Sequence, residues 1–430
     1  MKQINILVFP CGSEIGLELH RSLKDIRFIT LFGASSVSDH GEWVYKNYVG
    51  NIPFISDPSF VDVLNKYIDD NKIDYIFPAL DSVIVALSQN REKLHAEILT
   101  CPHETVEICR SKKETYAALS GCEFLPKTYA DINEIQKYPV IIKPSKGQGS
   151  QGFMIIESKE QLEYELSARR DEQVICEYLP GEEYTIDCFT DRHGSLLYAC
   201  QRNRGRIKNG ISVSSTISEP DEKILEIANE INSKMRFRGV WFFQLKRNAD
   251  GEYRLLECAT RVAGTMCVQR AAGVNLALLT VFDALGYDID IPERIKDVTV
   301  DRALYNTFKL GIEYDEVYMD FDDTVIIHDR VNFTVLQFIY QCVENKIPVT
   351  LLTRHETDII VDLKARRISP ELFDNIVCLP RSERKIDHVK PSKKALFVDD
   401  SFQERKSMHD AFGIYTLGPD SVEALLNERK

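Results

Sequence analysis

The sequence predicts a chain of mixed α/β and α+β class built as three successive parts, and three observations carry that expectation. Its 430 residues are material for about three domains at roughly 150 residues apiece. Near both ends, short apolar runs alternate with amphipathic stretches, the pattern of βαβ units in a small parallel sheet. Between them, longer apolar runs follow one another in close succession, which predicts antiparallel sheets with helices on one face.

Residues 1–105 read INILVF, IGLELHRSL, RFITLFG, FVDVLNKYI and IDYIFPA, a strand and helix alternation. INILVFP is too short for a leader and runs directly into CGSEIG, so it is expected to be a first strand. From 106 to 300 the expected strands are YPVIIKP, GFMIIES, QVICEYL, EYTIDCFTD, LLYACQRN, GVWFFQLKR and YRLLECA. Residues 287–314, with Pro292 and mixed charge, read as a connector in which VTVDRALYNTF is a candidate extra strand. Alternation returns over 314–430 with VYMDF, IPVTLLT and ALFVDD. No internal repeat or low-complexity segment interrupts the series.

Composition narrows the function classes. Hydrophobic residues make up 44% and charged residues 28%, values of a globular chain with a packed core. A formal charge of -13 disfavours general binding to nucleic acid, whose affinity comes largely from Lys and Arg on phosphates. The eleven cysteines lack a CxxC pair or zinc-like spacing and read as reduced core thiols. No window approaches the roughly 20 apolar residues of a membrane span, so the expected compartment is the cytosol. A homo-oligomer is compatible with this composition.

In VYMDFDDTVI, residues 317–326, an apolar run ends in Asp320, Asp322 and Asp323, followed by Thr324. Such a run reads as a buried parallel strand, and ligands of parallel sheets bind at the strands' carboxyl ends. Two carboxylates two residues apart can divide labour, one attacking phosphorus and the other protonating the leaving oxygen. Their like charges call for a divalent cation. Downstream, IPVTLLT ends in Thr353, Lys385 follows, and ALFVDD ends in Asp399 and Asp400. This ordered set resembles the haloacid dehalogenase phosphohydrolase superfamily. The resemblance implies a Rossmann-like domain without a large cap, with Asp320 as nucleophile and Asp322 as general acid/base. It implies that Thr353 and Lys385 hold phosphoryl oxygens, and that Mg²⁺ is held from the set Asp320, Asp322, Asp399 and Asp400. Lys390, Lys393 and Lys394 compete with Lys385 for its role. Asp323 stands where that family usually has glycine.

Gly147, Gly149 and Gly152 spell GxGxxG, but a dinucleotide fingerprint needs a strand before it and a helix after it. Here VIIK precedes and FMII follows, so the glycines are expected in a hairpin whose N–H groups can approach phosphate as a flexible lid. CGSEIG lacks two fingerprint glycines, which disfavours an NAD site there. The order KPSKGQGSQG, EYLPGEEYTID, QLKR and LLECATR resembles the ATP-grasp superfamily, in particular ligases of the carbamoyl phosphate synthetase and pyrrolysine-pathway type, over roughly residues 1–300. The resemblance implies an N-terminal βαβ domain over 1–105 and an ATP-grasp domain over 106–300. It places Lys143 and Lys112 on nucleotide phosphate, under a loop of Gly147, Gly149, Ser150 and Gly152. Glu177 and Leu179 would meet adenine through the backbone, and Glu183 the ribose hydroxyls. Gln244 and Glu257 would be Mg²⁺ ligands, with Arg261 on the transferred phosphate. The family's usual Asn ligand is here Ala259, whose side chain has no oxygen to offer. Arg202, Arg204, Arg206 and Lys208 form a basic run that either stabilises an acyl phosphate or is a solvated face.

The combined expectation is a bifunctional enzyme: an ATP- and Mg²⁺-dependent carboxylate–amine ligase joined to a Mg²⁺-dependent phosphatase, acting on small molecules rather than nucleic acid or membrane. Its rivals are a degenerate or kinase-like ATP-grasp domain beside an active phosphatase, and a nucleotide-binding sensor or scaffold.

Overall fold

The structure is a computed structural model that describes residues 2–147, 149, 151–208, 210–291 and 293–427. The chain divides into two compact units, the first closing at Leu304 and the second opening at Tyr305. No helix among the described residues is long and apolar enough to cross a membrane. The cysteines are free thiols, and only Cys378 is exposed.

The first unit opens with a five-stranded parallel sheet made of β1 (Ile4–Phe9), β2 (Ile29–Ala34), β3 (Asn47–Val49), β4 (Tyr75–Pro78) and β5 (Glu97–Ile98). Its strand order is β3-β2-β1-β4-β5, so the chain reverses direction of growth between β1 and β4. The carboxyl ends of those two strands flank a crevice, the place where open α/β sheets take ligands. Ser13 caps the helix Glu14–Leu23 after β1 and its hydroxyl also donates to Ala79 O beyond β4, which holds the crevice edges together.

Next comes a four-stranded antiparallel sheet of β6 (Thr128–Tyr129), β7 (Val140–Pro144), β8 (Met154–Ile156) and β9 (Gln173–Glu177), in the order β6-β9-β7-β8. Val140, Ile142, Ile156, Leu162 and Ile175 give it a small hydrophobic cluster of its own. The largest sheet follows: β10 (Glu183–Thr190), β11 (Leu196–Asn203), β12 (Arg206–Lys208), β13 (Ile211–Ser218), β14 (Gly239–Arg247), β15 (Tyr253–Ala259) and β16 (Thr299–Asp301). Its order is β12-β13-β11-β10-β14-β15, with β16 paired to β13, and every pairing is antiparallel. Of the candidate strand VTVDRALYNTF in the connector, Thr299–Asp301 is a strand, and it belongs to this sheet.

Strand β14 explains how the sheet is held. Successive side chains of a strand point to opposite faces, and here both faces are covered, which is why GVWFFQL reads as a continuous apolar run. Val240 and Phe242 join a cluster with Ile4, Ile6 and Val8 of β1 and with the helices Glu14–Leu23 and Leu276–Ala284. Trp241, Phe243 and Leu245 face the helices Lys112–Ala118 and Glu222–Lys234. Trp241 stacks on Phe237 at 3.8 Å and donates its indole N–H to Thr190 Oγ1 at 2.9 Å. Truncating so large a buried side chain to Ala typically costs about 3–5 kcal/mol.

The second unit is another five-stranded parallel sheet, made of β17 (Glu316–Met319), β20 (Val349–Thr353), β21 (Asn375–Cys378), β22 (Ala395–Val398) and β23 (Tyr415–Leu417) in the order β21-β20-β17-β22-β23. A small hairpin of β18 (Ile326–Ile327) and β19 (Arg330–Val331) follows β17. Among the described residues this hairpin is the whole insertion before the helix Phe333–Glu344. Strands β17, β20 and β22 carry the buried core, with Val317, Met319, Leu351, Leu396 and Val398 at its centre.

Candidate active sites

In the first unit, Lys143 is the last residue but one of β7; it is buried and donates to the Tyr116 hydroxyl at 3.0 Å. The turn beyond it pairs β7 with β8 as a hairpin, and Gly149 and Gly152 take φ of 58° and 72°, in the left-handed region where glycine carries no Cβ penalty. At Gly152 a Cβ would also come within 2.7 Å of Pro144. Ser150 lies outside the described residues. The Arg110 guanidinium donates to Gly147 O at 3.1 Å and the backbone N–H of Lys112 to Ser145 O at 2.9 Å, which ties both residues to the base of the hairpin.

Facing the hairpin are Glu183 on β10, Gln244 on β14 and Glu257 on β15. The register sets Gln244 directly opposite Glu257, and Glu183 opposite Lys246. Lys112 lies 3.7 Å from Glu257. Burial pulls Lys112 below the ordinary lysine range, while Glu257 works against that shift. A cavity of about 320 Å³ is lined by Lys112, Lys143, Gly147, Gly149, Leu179, Glu183, Gln244 and Glu257. Ile141, Phe153, Ile155, Tyr178 and Leu256 supply its apolar wall. Ten of the residues singled out above for nucleotide and metal binding are Lys112, Lys143, Gly147, Gly149, Gly152, Glu177, Leu179, Glu183, Gln244 and Glu257. Gly152 and Glu177 are the two that do not line this cavity. The Glu177 carboxylate instead accepts from Lys127 N at 2.8 Å and sits 3.5 Å from Arg254.

Arg261 follows β15 and is clamped by Asp81 through two hydrogen bonds of 2.6 and 3.0 Å, with its guanidinium over the Phe242 ring. Asp81 opens the helix Asp81–Gln89 just after β4, at the crevice edge of the first sheet. Asp81, Arg110, Lys112, Glu257, Ala259 and Arg261 line a second, smaller cavity of about 50 Å³ that shares Lys112, Gly147, Gly149 and Glu257 with the larger one.

The basic run does not act as a unit: spaced two apart, its members would share one face of a continuous strand, but β11 ends at Asn203, β12 starts at Arg206 with a register shift beside it, and Arg204 lies between the two. Arg202 is buried against Asp187 at 2.8 Å and also reaches Thr265, so its charge is spent in the core. Arg204 faces the larger cavity and donates to Glu183 and Gln244. Arg206 pairs with Asp301 near the surface and Lys208 is exposed. Only Arg204 therefore stands where phosphate chemistry was expected of all four.

In the second unit, parallel pairing of Met319 with Val398 makes the next residues, Asp320 and Asp399, neighbours at the strands' carboxyl ends. Both are buried, and Lys385, also buried, bridges them at 2.5 and 2.6 Å. Two acids facing one ammonium leave a net negative charge out of water. Burial pushes Asp320 up to about 7, against the pull of Lys385 and with the push of Asp399. Burial likewise raises Asp399. One oxygen each from Asp320, Asp399 and Asp400 lie within 4.8 Å of one another, an arrangement that could hold a metal ion. Thr353 Oγ1, at the end of β20, is buried without a hydrogen-bond partner among the described residues. Of the lysines that competed on sequence, Lys394 pairs with Glu313 instead.

Asp322 departs from the expected metal set. Its carboxylate is half exposed and binds His355 Nδ1 at 2.7 Å, outside the Asp320, Asp399 and Asp400 group. The strand ends at Met319, so residues beyond it no longer share one direction. Asp323 takes φ of 56°, a conformation that Asp tolerates better than most residues and that glycine adopts freely, which accounts for the exchange of the two at this turn. His355 was not legible beforehand. It stands two residues after Thr353, bridges Asp322 and Asp362, and packs edge-on to Phe321.

Comparison with known proteins bears on the first unit. Residues 169–304 match the family described as ATP-grasp in the biosynthetic pathway with Ter operon. The chain is 27% identical over 194 residues to the carbamoyl phosphate synthase large chain of Clostridium beijerinckii, an alignment covering 40% of this chain and 18% of that one. It thus spans less than a fifth of that relative's length. Among solved structures, N5-carboxyaminoimidazole synthetase from Staphylococcus aureus, complexed with ADP, superposes with a TM-score of 0.57 at 15% identity, over 68% of this chain and 80% of the other. The biotin carboxylase of Campylobacter jejuni, in a β-γ-ATP complex, gives 0.56 at 16% identity, over 67% and 72%. On these likenesses the chain carries an α/β ATP-grasp-like fold with an antiparallel sheet.

Proposed function

We propose that the chain is an ATP-dependent carboxylate–amine ligase joined to a Mg²⁺-dependent phosphomonoesterase. The observation that carries the first activity is the convergence of Lys112, Lys143, Glu183, Gln244 and Glu257 on one cavity beneath a glycine hairpin. The apolar wall suits a flat base, and the cations suit a polyphosphate. Gln244 and Glu257 offer hard oxygens side by side, which fits Mg²⁺, an ion that keeps waters and bridges phosphates rather than filling an all-protein cage. Bound there, the ion would supply charge neutralisation of the transferring phosphoryl group.

The chain's own residues would do the remaining work. Lys143 and Lys112 orient the phosphates, and the hairpin excludes water by folding over them. Arg261, held in place by Asp81, marks the end of the cleft where the acid substrate would enter. Phosphoryl transfer to that carboxylate gives an acyl phosphate, which an amine attacks to form an amide, with phosphate leaving. Release of ADP from Mg²⁺-ATP, assayed over pairs of carboxylic acids and amines, tests this, and Lys143→Ala should abolish it. No nucleotide binding by wild type in calorimetry would remove the ligase reading.

In the second unit, Asp320 would attack a phosphomonoester while Asp322 protonates the leaving oxygen, and water would then hydrolyse the aspartyl phosphate. Asp320, Asp399 and Asp400 are the residues that would hold Mg²⁺, and the orphaned Thr353 hydroxyl is a donor available to a phosphoryl oxygen. With only a small hairpin over the sheet, the site suits a bulky phosphoester. Hydrolysis of a broad phosphoester panel tests this activity, and Asp320→Asn is the control that should be inert.

A further inference from the structure

Arg204 stands where a carboxylate and an amide oxygen converge in the wall of the larger cavity. Its Nη1 donates to Glu183 Oε1 and, at 3.2 Å, to Gln244 Oε1, while Nη2 donates to Gly210 O at 2.7 Å. The side chain is 9% exposed, so these bonds are made in a low-dielectric wall rather than in water. Its Nε is also buried and has no hydrogen-bond partner among the described residues. Arg204 itself lines the cavity.

A second observation lies two residues past Glu257. Ala259 lines the adjoining smaller cavity but its side chain has no oxygen, which leaves Gln244 and Glu257, directly opposite each other, as the paired side chains that can offer oxygens there. Among the described residues, the three-carboxylate group at Asp320, Asp399 and Asp400 is the one cluster of its kind, and it is in the second unit. A triphosphate brings more negative charge than one divalent ion cancels. The rest must come from fixed cations.

We propose that Arg204 is a built-in cation of the nucleotide cleft, doing with a fixed guanidinium what a second divalent ion would do, so that this site handles a nucleotide polyphosphate with one metal ion. The proposal rests on the ATP-binding reading above. A guanidinium stays charged at any working pH and offers a planar fork of donors that matches phosphate oxygens. Held in advance by Glu183 and Gly210, it needs no reorganisation when charge moves.

The test counts nucleotide-dependent ions in the full chain. Mn²⁺ uptake is measured by paramagnetic resonance with and without the imido analogue of ATP, so that ions held by the second unit's acids are subtracted. Wild type should take up one nucleotide-dependent Mn²⁺ per chain. Arg204→Met keeps the stem and loses the charge, and should weaken the analogue roughly tenfold to hundredfold at fixed Mn²⁺. Arg204→Met combined with Ala259→Asn should take up two ions and recover affinity. Arg204→Lys, the milder change, should bind between wild type and Arg204→Met because it keeps the charge without the fork. Two nucleotide-dependent ions in wild type, or unaltered affinity in both single variants, overturns the proposal and leaves ATP binding standing. No binding of the analogue by wild type removes both.

Discussion

The two parallel sheets of this chain have the same strand order, yet their crevices are opposites. In the first, β1 and β4 end in Phe9-Pro10-Cys11 and Pro78-Ala79, with no acid until Asp81, and the polar atoms there satisfy one another. Ser35 donates to Asp39 at 2.6 Å, Cys11 Sγ lies 3.4 Å from Ser35 Oγ, and Ser13 closes the gap to Ala79. Burial pushes the Cys11 thiol up to about 12, so it stays neutral. In the second sheet, the corresponding ends carry Asp320 and Asp399, one lysine for two acids, and a threonine hydroxyl with no partner among the described residues. Topology provides a crevice in both, but the second is the one whose polar groups are left incompletely satisfied, which is why the proposed phosphatase site is placed there. The first crevice instead acts as scaffold for Asp81, which serves the neighbouring cleft through Arg261.

The largest effect that can sharpen this contrast is catalytic. Asp320→Asn should bring hydrolysis of p-nitrophenyl phosphate below detection, and Asp322→Asn should lower it about 10²- to 10⁴-fold, the usual range for general acid catalysis. Cys11→Ala, at the same end of the other central strand, should leave that rate unchanged. Steady-state kinetics on the full chain decides, and a loss of hydrolysis in the Cys11 variant would break the comparison.

Stability comes next. Lys385→Met leaves two buried acids facing each other without a cation, which should cost about 3–5 kcal/mol in the second unit. Hydrogen exchange of peptides spanning β17 and β22 reads this directly. Added Mg²⁺ should restore part of the protection, since an ion that binds only the folded state stabilises it by mass action. Protection equal to wild type in the metal-free variant would show that the lysine does not hold the acids together.

In the first sheet, Ser35→Ala removes a hydrogen bond to Asp39 in a satisfied network and should cost about 1–3 kcal/mol. Trp43 and Trp241 both lie in the first unit, so denaturation followed by fluorescence isolates it. The smallest effect is a pH response of opposite sign in the two units. Burial, helped by Lys24 and Arg21, lowers His20 to about 4. The stability of a neutral buried His20 is present above its unfolded value of roughly 6.5 and is lost as pH falls from there toward the folded value. For His355, burial opposes protonation, but the hydrogen bonds to Asp322 and Asp362 raise it overall. Its contribution is present below the unfolded value and lost as pH rises through the raised one. Hydrogen exchange at pH 5.5 and 7.5 should move the two units in opposite directions, with His20→Gln and His355→Gln each flattening one response.

Much of this was legible in the chain because apolar runs end at chemistry. VIIK ends at Lys143 and VYM at Asp320, and a run's end is a local property. The strand ISVSSTIS was missed, since Ser214, Ser215 and Thr216 break the apolar alternation that Ile211 and Val213 begin, although five of its eight residues pair with β12 or β16. Partners were also hidden. Asp81 meets Arg261 across 180 residues and Glu18 meets Arg270 across 252, and no spacing rule reaches that far. The basic run misled for a different reason: a spacing of two shares one face only along an unbroken strand, and here the strand breaks between Asn203 and Arg206.

The private core of the four-stranded sheet has a consequence for the timing of turnover. Val140, Ile142, Ile156, Leu162 and Ile175 pack among themselves, so this plate can tilt as a solid body. Beside Val174, which joins the core with Tyr116, what fastens its hairpin side to the helices is polar: Lys112 N to Ser145 O, Arg110 to Gly147 O, Ser111 to Ser145, and Lys143 to Tyr116. Breaking such latches lets water replace them bond for bond, whereas splitting a hydrophobic core would not. Opening should therefore be quick and frequent, in the microsecond to millisecond range of lid motions. The escape of spent nucleotide would then be governed by how many of these four latches are closed at once, and solvent viscosity should slow it.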